Sequence, residues 1–122
     1  MRGLCAIALA VAIGASAPAD AHHSDAGYDR GTIVAFEAQV SRYVFRNPHV
    51  TIFVETAGEG GETVEWEIET GSTPIMSRSG WSASLLRPGD TVTVRAHPER
   101  SARRRAILNT LQTADGRLWS QI

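Results

Sequence analysis

The sequence predicts an all-β fold, and three observations carry that prediction. Apolar and polar residues alternate with period two through most of the chain beyond residue 31, as half-buried strands require. Turn-forming pairs, Asn47-Pro48, Gly60-Gly61, Pro88-Gly89 and Asp115-Gly116, interrupt the alternation. One stretch, residues 71–90, breaks it, and there Gly71-Ser72-Thr73-Pro74 has the composition of a helix start.

The first strand spans Thr32 to Phe45, with Val34, Phe36, Ala38 and Val40 on one face. Its alternation loses phase near Ser41-Arg42, which predicts a bend or bulge there. Asn47-Pro48 makes a turn, with the proline ring fixing φ. His49 to Glu55 is a second strand with Val50, Ile52 and Val54 inward. The Gly58-Glu59-Gly60-Gly61 loop closes a hairpin onto a third, where Val64, Trp66 and Ile68 alternate with Glu65, Glu67 and Glu69. A short helical turn through Ile75, Met76 and Arg78 follows, with Ser72 or Thr73 as cap. Arg87-Pro88-Gly89-Asp90 turns the chain into a strand from Thr91 to Ala96, and Arg105 to Thr113 is the last long one before Leu118-Trp119. Three strands, a short helical linker between strands 3 and 4, and two more strands make the order of an OB-like five-stranded antiparallel barrel. A small open β-sandwich is the alternative.

Ahead of the barrel, Met1-Arg2 is followed by an uncharged apolar run from Leu4 to Ile13, and small residues alternate at Ala15, Ala17, Ala19 and Ala21. A basic start, an apolar run of secretory length and small residues before a cut are the parts of a signal peptide. The run is shorter than the roughly 20 residues that span a bilayer, and no later segment inserts into a membrane once the signal is removed. Cleavage after Ala21 fits Ala19-Asp20-Ala21, and cleavage after Ala19 fits Ala17-Pro18-Ala19. The expected organisation is a signal peptide over 1–21, an N-terminal arm over 22–31 and a small β-barrel domain over 32–122, working in the periplasm. The single cysteine, Cys5, falls within the signal, so the mature domain holds no thiol and relies on its core. A formal net charge of −1 argues against a general nucleic-acid binder.

Several short motifs occur in order: Ala21-His22-His23-Ser24, Arg46-Asn47-Pro48-His49, Gly80-Trp81, Leu86-Arg87-Pro88-Gly89-Asp90 and Ala114-Asp115-Gly116-Arg117. With them the chain resembles a family of small exported proteobacterial proteins of unknown function, over essentially the whole mature length. The resemblance implies a periplasmic β-domain without an established activity. The chain departs from that pattern at Asp25-Ala26-Gly27, where aromatic residues are usual.

The candidate site residues are histidines: His22, His23 and His49, with His97 ranked below them. If His22 is the mature terminus, its amine and its imidazole Nδ1 chelate one metal, and a nitrogen of His23, His49 or His97 completes a T-shaped copper site. If Asp20 is first, Asp20-Ala21-His22 offers the amine, two amides and an imidazole as a square-planar cage for Cu(II) or Ni(II). Imidazole titrates near ~6.5 and an α-amine near ~8, so either site weakens in mild acid.

Two further sets carry less chemistry. Glu65, Glu67 and Glu69, with Glu55, Glu59 and Glu62 close by, read as a solvated outer strand face rather than paired catalytic carboxylates. Arg95, Arg100 and Arg103-Arg104-Arg105 lie at or near the loop that OB-like domains use for ligands, and offer the alternative function of an interaction module for an anionic glycan or protein partner. There is no Gly-x-Ser-x-Gly, no His-Glu-x-x-His and no phosphate-binding glycine loop, so a non-catalytic module is expected.

Overall fold

A computed structural model of the chain describes residues 27–101 and 103–121. The expected signal peptide and the histidines His22 and His23 lie outside these residues. Six strands and one helix follow in the order β1 (Val34–Val44), β2 (Thr51–Ala57), β3 (Thr63–Glu69), α1 (Thr73–Arg78), β4 (Thr91–Pro98), β5 (Arg105–Thr113) and β6 (Leu118–Trp119).

The sheet runs β3-β2-β1-β4-β5-β6, and a further pairing of β3 with β5 closes the first five strands into a barrel. That order, with the helix between β3 and β4, is the OB arrangement. The ladders β1–β2, β2–β3, β1–β4 and β4–β5 are antiparallel as expected. The closing seam is parallel, with Glu67, Ile68 and Glu69 opposite Arg105, Ala106 and Ile107, so the barrel is mixed. A parallel pair needs a long crossover, and here α1 and β4 together supply it.

Closure follows from the alternation. Ala38 and Val40 of β1, Ile52 and Val54 of β2, Val64 and Ile68 of β3 and Val92 and Val94 of β4 all point inward and are buried. Leu108 and Leu111 of β5 complete the layer, and Met76 of α1 and Trp81 plug one end. Each buried Val, Leu, Ile or Met among them contributes on the order of 1.5–3 kcal/mol.

The expected irregularity in β1 is present: the register with β2 shifts between Val40 and Arg42. A second one, between Arg95 and Ala96, was not expected. Arg95 faces Thr110 and Ala96 faces Leu108, which leaves Asn109 without a partner on β4. A bulge of this kind redirects the side chains around it.

The helix cap also differs from expectation. Ser72 occupies the N-cap position but makes no side-chain cap bond. Instead Asn47 Oδ1, from the β1–β2 turn, accepts the Thr73 N–H at 2.9 Å and the Thr73 hydroxyl at 3.0 Å. A residue 26 positions away thus satisfies the helix start and ties that turn to α1.

Candidate functional site

One end of the barrel gathers the polar side chains that the core excludes. Thr51 faces Glu69 across the β2–β3 ladder, and His49 lies diagonally from Glu69 on the same side, within side-chain reach. His49 Nδ1 is 2.9 Å from Glu69 Oε1, with side-chain exposures of 40% and 13%. A carboxylate only accepts, so Nδ1 carries the hydrogen and Nε2 is left available.

The second oxygen of Glu69 holds the root of the N-terminal arm. Tyr28 forms an isolated bridge with Glu99 beyond the end of β4. The Asp29 N–H donates to Pro98 O at 2.8 Å and the Arg100 N–H donates to Gly27 O at 2.8 Å. This backbone anchorage carries the Tyr28 hydroxyl to Glu69 Oε2, to which it donates at 2.8 Å. Burial first, and then the bond to Glu69, push the Tyr28 hydroxyl well above the ordinary tyrosine range.

Arg105 stands behind this carboxylate on the closing seam. Its Nη2 is 3.4 Å from Glu67 Oε1 and 3.6 Å from Glu69 Oε2, and its Nη1 is 3.7 Å from Glu99 Oε1. Burial works against its charge, but Glu67, Glu99 and Glu69 outweigh it and hold the guanidinium protonated. Its Nε is buried and has no hydrogen-bond partner among the described residues.

A cavity of about 460 Å³ opens beside this cluster, and His49, Glu69, Ile75, His97, Asn109 and Gln121 are among the residues lining it. His97, buried at the end of β4, places Nδ1 2.9 Å from the Thr32 carbonyl. A carbonyl cannot donate, so this imidazole too commits its Nδ1–H and keeps Nε2 as an acceptor when neutral. His49 and His97 therefore share one cavity, although no group of three His, Cys, Asp or Glu side chains converges on a metal-sized point among the described residues.

The remaining sequence candidates divide. Glu65 is exposed and accepts a hydrogen bond from the Ser41 hydroxyl at 2.9 Å, as a solvated face predicts. Glu69 does not belong to such a face; it is the hub of the site, because the parallel seam brings Arg105 over the end of β3. Arg105 likewise leaves the arginine run: it is the first residue of β5 and pairs with acids, while Arg95, Arg100, Arg103 and Arg104 stay exposed. Sequence reasoning missed Tyr28, Asn109 and Gln121. Tyr28 and Glu69 are 41 positions apart, and nothing local in the sequence joins them. The one legible signal was the loss of alternation at Leu108-Asn109-Thr110.

Among solved structures, the chain is similar to the mitochondrial single-stranded DNA binding protein Rim1 from S. cerevisiae, at 13% sequence identity and a TM-score of 0.49, covering 68% of this chain and 93% of that one. No curated protein matches it in sequence. The model of one family of unknown function, DUF6152, matches residues 10–108, most of the chain, and the protein belongs to that family.

Proposed function

We propose that the protein is an exported, non-catalytic OB-like module that binds copper, or a metal of similar preference, through His49 and the histidines of its N-terminal arm, His22 and His23. The observation that carries this reading is the double use of Glu69. One carboxylate oxygen orients His49 through Nδ1, and the other fixes Tyr28 at the root of the arm. A carboxylate behind a histidine is the usual support for a metal-binding imidazole, since it fixes the tautomer and raises ligand basicity.

The arm's length agrees with this. His23 precedes Tyr28 by five residues, which span at most about 17 Å when extended. That length is compatible with His22 or His23 meeting His49 Nε2. A mature terminus at His22 would supply its amine and Nδ1 as a chelate, and His49 Nε2 would be the third nitrogen. With one imidazole fixed in advance, less ordering is needed on binding than for a free peptide.

Titration of the mature protein with Cu(II), after export and cleavage, tests the reading. The His22→Ala, His49→Ala double variant is expected to bind at least about 100-fold more weakly. Equal affinity would end it.

The outer face of β2 and β3, which OB domains commonly offer to oligonucleotides, here carries Glu55, Glu65 and Glu67. That charge supports a reading without nucleic acid. The alternative, an anionic glycan or protein partner on the arginine loop, keeps Arg95, Arg100, Arg103 and Arg104 but loses Arg105 to its acidic neighbours.

A further inference from the structure

The cavity beside the histidines has a polar inventory that a metal at His49 does not use. Asn109 is the unpaired residue of the β4–β5 bulge, half-buried and lining the cavity. Its carboxamide makes no hydrogen bond among the described residues. Gln121 spends its amide N–H on Leu108 O at 2.7 Å, so its Oε1 remains an acceptor. His97 spends Nδ1–H on Thr32 O, so its Nε2 is an acceptor as well, and His49 adds a further Nε2 at the rim.

Three acceptors and one carboxamide thus line the same space, together with Arg30, Ser120 and Glu69, whose two carboxylate oxygens are taken by His49 and Tyr28. Ile75 and Ile107 supply an apolar wall. A ligand complementary to this set brings several hydroxyl donors and one apolar face, and needs no net charge, because Arg30 and Glu69 bring opposite charges to the lining. The volume, about 460 Å³, lies in the range of small-ligand sites, about 300–1,000 Å³. A bulge that turns a polar side chain toward a cavity is the device by which sheets commonly build such sites.

We infer that this cavity binds a neutral, hydroxyl-rich ring of monosaccharide size, with Asn109, Gln121 and His97 hydrogen-bonding its hydroxyls and Ile75 and Ile107 packing on its C–H face. The inference does not rest on the copper reading: it uses the metal-free protein, and Asn109, Gln121, Ile75 and Ile107 take no part in holding the metal in that reading.

Amide NMR titration of the metal-free protein with methyl glucoside, methyl galactoside and N-acetylglucosamine tests it. Saturable shifts confined to residues around Asn109, His97, Ile75 and Gln121 are expected with at least one glycoside. Asn109→Leu should weaken that binding at least 10-fold. Ile75→Trp, on an exposed position of α1, should do the same by filling the mouth. Asn109→Leu should keep the wild-type affinity for Cu(II), which separates this outcome from that of the metal reading. Methoxycyclohexane, a ring of similar size without the hydroxyls, should produce no such shifts. The inference is overturned if none of the three glycosides gives a saturable shift, if both variants bind as the wild type does, or if methoxycyclohexane binds as well as the glycosides.

Discussion

Along β2, Ile52 and Val54 point inward while Thr51, Phe53 and Glu55 point outward, without a break. Along β5, Ala106, Ile107 and Leu108 are buried in succession, and Asn109 has no partner across the ladder. The first strand serves the barrel wall and the second serves the cavity, and the contrast separates two kinds of residue. Wall residues pack into one apolar cluster, so changing them costs stability. The histidines at the cavity end are each oriented by one directed bond, His49 by Glu69 and His97 by Thr32, so changing those bonds costs binding.

The largest expected effect lies in the wall. Ile52 is fully buried, and Ile52→Ala should lose about 2–5 kcal/mol in denaturant unfolding. Copper affinity per folded molecule should not move. A loss below about 1 kcal/mol would show that the wall is looser than its packing implies.

At the cavity end the order reverses. Glu69→Gln keeps the shape of the side chain but removes the charge behind His49, and should weaken Cu(II) binding by about 10–100-fold. Its cost in stability should be smaller than that of Ile52→Ala, because Arg105 keeps Glu67 and Glu99 as partners. An unchanged copper affinity would place Glu69 on the side of the wall.

Asn47 sits between the two regions, since it caps α1 from the β1–β2 turn that leads to His49. Asn47→Ala should cost about 1 kcal/mol, the usual worth of a helix cap, read by thermal unfolding. Ser72→Ala should cost less, because Ser72 makes no cap bond.

The smallest effect is a pH dependence. Burial, and for Tyr28 also the bond to Glu69, raise the folded-state pKa of Tyr28 and Tyr43 above the ordinary value of about 10. A raised value means that the folded chain holds these protons more tightly than the unfolded chain. The stabilisation is therefore complete below about pH 10 and is lost as the pH rises further. Tyr28→Phe should flatten that decline without abolishing it, because Tyr43 remains. An unchanged slope would show that Tyr28 is not anchored as described.

The wall was legible in the sequence because period-two alternation is a local property. Val34 to Val40, Ile52 with Val54, and Val92 with Val94 announce their faces within a few residues, and the bulge at Ser41 showed in the same way. The site was legible only at His49 and, ranked below it, at His97. Its partner Glu69 was read as one of three equivalent outer glutamates, because alternation says which face a residue is on and not what closes over that face. The parallel β3–β5 seam, which brings Arg105 to Glu69, depends on contacts between distant strands. The same holds for Tyr28, which reaches Glu69 only through backbone bonds to the far end of β4.

The state of His49 tests the central claim most directly. Long-range nitrogen–proton correlation spectra of the metal-free mature protein should show hydrogen on Nδ1 and a lone pair on Nε2 while the imidazole is neutral. Addition of Cu(I), which leaves the spectra observable, should shift the Nε2 resonance. Hydrogen on Nε2 of the neutral ring, or an Nε2 resonance that saturating Cu(I) leaves in place, would contradict the account.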